Sequence, residues 1–151
     1  NTFGQVNKKV INATAVSQDG INFRSKSERT MYNLLKESGL KFWYEPEPIT
    51  LLEGFYPLPW YEGTKEHTEK IRKMTYTPDF IVEKNNHHFV LEVKGMPTDR
   101  YVVKRKLFLN YLKTQPTWHF FEVHTKRDMI FCIQKIKEYE YNSSENKKSS
   151  S

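Results

Sequence analysis

Three residues stand at a spacing that suits phosphodiester hydrolysis. Asp79 follows Pro78 in a stretch of β character, Glu92 comes thirteen residues later, and Lys94 two residues after that. In a strand, residues two apart face the same side, so Glu92 and Lys94 project together. If a hairpin joins the two stretches, Asp79 reaches the same end. Two carboxylates bind a hard cation such as Mg²⁺ through oxygen. Such an ion makes a bound water more acidic and offsets the negative charge of the pentacovalent transition state. A lysine beside the carboxylates can position the nucleophile or stabilise developing charge. An isolated Glu-x-Lys on an exposed strand is more often a solvated ion pair. Here the pair interrupts the apolar run Phe89-Val90-Leu91-Glu92-Val93-Lys94, where a charge is costly to bury. Gly95 then lets the chain turn or pass close to a ligand.

These residues need elements to hold them. Residues 25–38 read as a helix: Ser25 with Glu28 three positions on fits a capping box, Met31, Leu34 and Leu35 form an apolar stripe, and Gly39 is a stop. Residues 40–52 read as a strand that Pro46 and Pro48 break or confine to an edge. Residues 53–73, with Gly54, Pro57, Pro59 and Gly63, form a long insertion carrying Phe55, Tyr56, Trp60 and Tyr61. Residues 74–84 and 87–94 form a hairpin about Lys84-Asn85-Asn86-His87, with Pro78-Asp79 inside the first strand. A helix over 98–113 with Thr98 as cap, a strand over 117–124 and a helix over 126–140 follow. The order αβββαβα is that of an α/β (α+β) protein with a mixed central sheet flanked by helices. Residues 1–18 read as an N-terminal arm, 19–141 as the domain, and the Ser-, Asn- and Lys-rich 142–151 as a disordered tail.

Composition bounds the partners. A chain of 151 residues with 37% hydrophobic and 15% aromatic residues can bury a substantial core as one domain. Its net charge of +6 favours an anionic partner, nucleic acid above all. Residues 92–113 set Lys94, Arg100, Lys104, Arg105, Lys106 and Lys113 against Glu92 and Asp99. Arg100, Lys104, Arg105 and Lys106 could touch phosphates, or could form a solvated helix face. The single cysteine, Cys132, excludes an intramolecular disulfide and a zinc cluster, and reads as a buried thiol in a reducing compartment. No apolar run approaches a membrane span. His87 and His88 read as turn residues, and His67, His119 and His124 show no ligand spacing.

Thr77-Pro78-Asp79-Phe80 with Leu91-Glu92-Val93-Lys94-Gly95 resembles the PD-(D/E)xK nuclease superfamily, over roughly residues 19–125. Phe23-Arg24-Ser25-Lys26-Ser27-Glu28, Leu40 to Glu45 and Tyr76 to Phe80 resemble phage endonuclease I type Holliday junction resolvases. Asp19-Gly20 through Ser25, with Lys94-Gly95, Thr98, Tyr101, Lys104, Lys106 and Phe108, is similar to small uncharacterised phage proteins placed in that superfamily.

The resemblance implies a restriction-endonuclease-like fold. It implies catalysis by Glu28, Asp79, Glu92 and Lys94, with Asp79, Glu92 and Glu28 on Mg²⁺, which Mn²⁺ can replace. It also implies branched DNA as substrate, a homodimer, and a cytoplasmic setting in an infected bacterial host. A capping role for Glu28 can coexist with a metal role only if its side chain turns toward the sheet. The chain departs from the resolvase pattern at Trp43, where that pattern has a further acid, and in the length of 53–73; Glu45 matches a nearby acidic position. A non-cleaving DNA-binding module on a nuclease fold is the reading from another class. A transposase-subunit or restriction-like nuclease is a third, on the strength of Glu45-Pro46-Glu47-Pro48-Ile49.

Overall fold

The structure, a computed structural model, describes residues 20–150, with side chains through Tyr139. The expected N-terminal arm at 1–18 lies outside the described residues.

Helix α1 covers Lys26–Ser38. Ser25 caps it, its hydroxyl accepting from the Glu28 N–H at 3.1 Å, and Gly39 ends it at φ 77°, a left-handed conformation that glycine adopts without strain. The apolar run then enters a four-stranded sheet of order β1-β6-β7-β8: β1 Lys41–Tyr44, β6 Phe80–Lys84, β7 His87–Val93 and β8 Trp118–Val123. β1, β6 and β7 are antiparallel neighbours, and β8 lies parallel to β7, reached through helix α2, Asp99–Leu112. The class is α+β, as the element pattern implies.

The β6–β7 turn is Asn85-Asn86, both in the left-handed region at φ 54° and 67°, as a two-residue hairpin turn requires. His87 and His88 are therefore the first residues of β7, not turn residues, and both are half-buried. The His87 ring stacks on His119, with Nδ1 and Nε2 3.0 Å apart.

Strand alternation divides the core in two. Phe80, Val82, Phe89 and Leu91 face one side, where α1 and α3 (Lys126–Ser150) cover them with Met31, Leu35, Met129, Cys132 and Ile136. Ile81 and Val90 face the other side, toward Phe108 of α2. Burying each such side chain contributes about 1.5–3 kcal/mol. Cys132 is fully buried, which pushes its thiol up to about 12 and keeps it an unreactive apolar filler. α3 takes in 142–150 of the expected tail, because no glycine or proline interrupts 126–150.

Two expectations change around Pro78. Residues 74–84 are not one strand. β5, Met74–Tyr76, pairs with β2, Ile49–Leu52, while β6 pairs with β1 and β7. Proline has no N–H to donate, so the ladder is interrupted at Thr77-Pro78-Asp79 and the chain changes sheet. The insertion at 53–73 has strand structure that the sequence did not suggest: it continues the β2–β5 ribbon through a bridge between Phe55 and Ile71 to a hairpin of β3, Trp60–Glu62, and β4, Lys65–His67. Among the described residues no helix is long and apolar enough to cross a membrane.

Candidate active site

Asp79 stands one residue before β6, and the register Phe80↔Leu91 carried one step further sets it opposite Glu92. Both share the Ile81/Val90 face, so they open toward α2, and Lys94 follows on the same side just past the end of β7. Asp79 and Glu92 are almost wholly buried, at 3% and 6% exposure.

Each carboxylate is held by identified donors. One Asp79 oxygen accepts the Val93 N–H at 2.8 Å; the other accepts the Arg24 guanidinium at 2.7 Å. Glu92 Oε1 accepts the Tyr76 hydroxyl at 2.5 Å, and its Oε2 lies 3.4 Å from Lys94 Nζ. The Lys94 ammonium sits 4.3 Å above the Tyr101 ring, a cation–π contact that fixes a flexible side chain.

The electrostatics of this pair are unfavourable for two free negative charges. Burial first, and the neighbouring Glu92 charge second, push the Asp79 carboxyl well above the usual carboxylate range; the Val93 N–H and Arg24 oppose them. Burial also pushes Glu92 up, against the Tyr76 hydroxyl and Lys94. The Tyr76 phenol is raised strongly by burial and by Glu92, so it remains a donor to that carboxylate.

Glu28 does turn toward the sheet. Its carboxylate accepts the Tyr44 hydroxyl of β1 at 2.8 Å and pairs with Arg24 Nε at 3.4 Å. The Ser25 cap is thus one-sided. Arg24 also lies 3.4 Å from Glu45, so one guanidinium links Glu28, Glu45 and Asp79. The structure does not gather Asp79, Glu92 and Glu28 into a single ligand group: among the described residues no three His, Cys, Asp or Glu side chains are placed to hold an ion alone. The Arg24 guanidinium contacts both Glu28 and Asp79. Mg²⁺ commonly takes one or two carboxylates and keeps several waters, so the oxygen pair Asp79 and Glu92 fits it chemically without Glu28. That pair also suits Mn²⁺, another oxygen-preferring ion.

Sequence reasoning passed over a second network beside the first. Glu122 of β8 is in register with Glu92. It accepts the Tyr101 hydroxyl at 2.6 Å and Arg105 at 2.7 Å, and its other oxygen lies 2.9 Å from His124 Nε2. His124 Nδ1 is 2.7 Å from the Lys94 carbonyl oxygen. Glu122 thereby anchors both the ring under Lys94 and the backbone that carries Lys94. The one available signal was the alternation of Trp118, Phe120 and Glu122 on the α2 side. Arg24, Tyr76 and Tyr101 stand within the segments that carry the resemblances, but nothing in their spacing marks them as partners of the acidic pair or of Lys94.

The predicted phosphate contacts divide. Arg105 is not a free cation, because Glu122 neutralises it. Lys106 and Arg100 are exposed and Lys104 half-buried. Arg100 and Lys104 line a cleft of about 510 Å³ between α2 and β5, whose other wall includes Arg72 and Lys73. A larger opening of about 650 Å³ runs along α1 and involves none of Asp79, Glu92 or Lys94.

The chain belongs to a family described as a protein of unknown function (DUF1064), whose model matches residues 8–126. The match spans α1, the strands, α2 and the acidic pair. No curated protein matches the chain.

Proposed function

We propose that this member of the family is a metal-dependent DNA endonuclease that hydrolyses phosphodiester bonds, with branched DNA such as a four-way junction as its substrate. The observation that carries the reading is the buried pair Asp79 and Glu92, mutually repelling, facing one another across adjacent strands with Lys94 beside them. Burial and the Glu92 charge raise Asp79, and burial raises Glu92, even with Arg24 and Lys94 beside them; a divalent cation is a further counter-charge that oxygen ligands select. Asp79 and Glu92 would hold Mg²⁺, and the ion when bound would supply an acidified water and a counter-charge to the scissile phosphate.

The rest falls to the chain's own groups. Tyr76 donates to Glu92 Oε1 and so fixes which oxygen remains open. The Val93 N–H holds one Asp79 oxygen, and Arg24 the other. Lys94, held over Tyr101, orients the attacking water and stabilises charge on the phosphate oxygens as the bond to phosphorus forms. Arg24, exposed over more than half of its side chain, is free to swing from Asp79 toward a phosphate while Glu28 and Glu45 keep it nearby. Glu28 thus acts through Arg24.

A panel of four-way, three-way, flapped, single-stranded and linear duplex DNA, incubated with Mg²⁺, Mn²⁺ or EDTA, tests this. The expected result is metal-dependent cutting, strongest on branched DNA, lost in Glu92→Ala and Lys94→Ala while DNA binding survives. Full activity in either variant would overturn the assignment. A wild-type protein inert on every substrate would favour a non-cleaving DNA-binding module. Preference for linear duplex would favour a restriction-like or transposase-subunit nuclease.

A further inference from the structure

The cleft beside the acidic pair has walls from two distant parts of the chain. Arg72, Lys73, Met74 and Thr75 come from the root of the β2–β5 ribbon; Arg100, Val103 and Lys104 come from α2. Four of these seven side chains are cationic and none is acidic. None of the four makes an ion pair among the described residues, unlike Arg105 one residue away on α2.

The next residue on each wall enters the acidic site: Tyr76 follows Thr75 and binds Glu92, and Tyr101 follows Arg100 and lies under Lys94. Neighbouring strand residues are about 3.3 Å apart. The cleft therefore adjoins, along the chain on both walls, the residues that hold the acidic pair and Lys94. The ribbon is also built to stay in place. Gly54 packs against the opposite strand so closely that a Cβ there would come within 3.1 Å of the Ile71 carbonyl oxygen. At the far end, His67 lies buried between Glu69 at 2.7 Å and Glu62 at 2.9 Å, stacked on Trp60.

We propose that this cleft seats the DNA phosphate backbone, with Arg72 and Lys73 on one wall and Arg100 and Lys104 on the other, so that the ribbon at 53–73 is a substrate-holding wall. The identity of the anion as DNA rests on the nuclease reading; the cleft's taste for a polyanion does not. Contacts to phosphate carry no base information, so the cleft grips DNA without regard to sequence.

The test is binding in EDTA, where no cutting occurs, of a labelled linear duplex and a four-way junction, followed by anisotropy across a salt series. Each neutralised phosphate contributes about −0.9 to the slope of log K against log[salt]. Arg72→Gln with Lys73→Gln, and separately Arg100→Gln with Lys104→Gln, are expected to flatten that slope by about 2 each. Lys135→Gln with Lys137→Gln on α3 should leave it unchanged. Arg72→Lys with Arg100→Lys should keep the wild-type slope, which separates charge from folding.

Wild-type slopes in both neutralised pairs, or an equal loss in the α3 pair, would overturn the proposal. If the neutralised pairs lose binding but the wild type never cuts, the cleft stands and the nuclease reading falls. If the wild type cuts and the neutralised pairs bind normally, the cleft alone falls.

Discussion

At the scale of single residues, the acidic pair sets the molecule's pH behaviour. Asp79 has a folded-state pKa above its ordinary value of about 4, because it is buried against Glu92. A raised carboxyl contributes stability that is fully present below the unfolded pKa and is lost as pH rises through the folded one. Asp79→Asn keeps an acceptor for the Val93 N–H but removes the charge. It is expected to raise the melting temperature at pH 8, with the gain vanishing near pH 4. Each tenfold difference in proton affinity between the folded and unfolded chain corresponds to about 1.4 kcal/mol. Thermal melts at the two pH values decide this, and a variant less stable than wild type at pH 8 would contradict it. Mg²⁺ should stabilise the wild type by mass action, by about 2.7 kcal/mol at a hundredfold excess over its Kd, and the Asn variant much less. Tyr76→Phe removes the hydroxyl that holds the Glu92 pKa down. Glu92 then protonates at higher pH, so the acid limb of the cleavage profile should move upward, at a stability cost of about 1–3 kcal/mol for the lost partner. An unmoved limb would separate Glu92 from the activity.

At the scale of elements, Pro78 and the ribbon decide where the residues go. A continuous strand over 74–84 would have kept Tyr76 and Phe80 in one ladder. Because Pro78 breaks it, β5 leaves with β2, Arg72 and Lys73 just before it line the cleft against α2, and Tyr76 still lies against Glu92. Gly54→Val forces a side chain against the Ile71 carbonyl oxygen and the Lys73 N–H. The expected outcome is a displaced ribbon: weaker DNA binding, with stabilisation by Mg²⁺ unchanged because neither Asp79 nor Glu92 belongs to the β2–β5 ribbon. Loss of both together would mean that the ribbon also shapes the acidic pair. At the ribbon's far end, the Glu69 carboxylate, first, and Glu62 raise the His67 pKa against burial. Its contribution is present below the unfolded histidine value and lost as pH rises through the raised one. Hydrogen exchange in 60–67 should therefore quicken beyond the ordinary base-catalysed rise as pH climbs, and His67→Ala should abolish that extra rise.

At the scale of the whole molecule, a net charge of +6 is spread unevenly. Arg24 and Arg105 are absorbed by carboxylates, while Arg72, Lys73, Arg100 and Lys104 gather on one cleft beside the acids. Attraction to a polyanion is thereby directed toward the pair that would cut it. Symmetric cutting of a junction needs two such centres, so a homodimer follows from the branched-DNA proposal. Sedimentation of the DNA-bound protein at twice the chain mass is the expected outcome. A single copy per junction would restrict the protein to nicking.

The periodicities in this chain were enough to determine its α+β class, the caps at Ser25, Gly39 and Thr98, the Asn85-Asn86 turn, and the alignment of Glu92 with Lys94. Those features depend on neighbours within a few residues, and local backbone preference encodes them. The change of sheet at Pro78, the ribbon within 53–73, the Arg24 bridge over Glu28, Glu45 and Asp79, and the neutralisation of Arg105 by Glu122 were decided by tertiary structure alone. Each joins residues far apart in the chain, and which cations stay free is settled only when every carboxylate has found its partner in space.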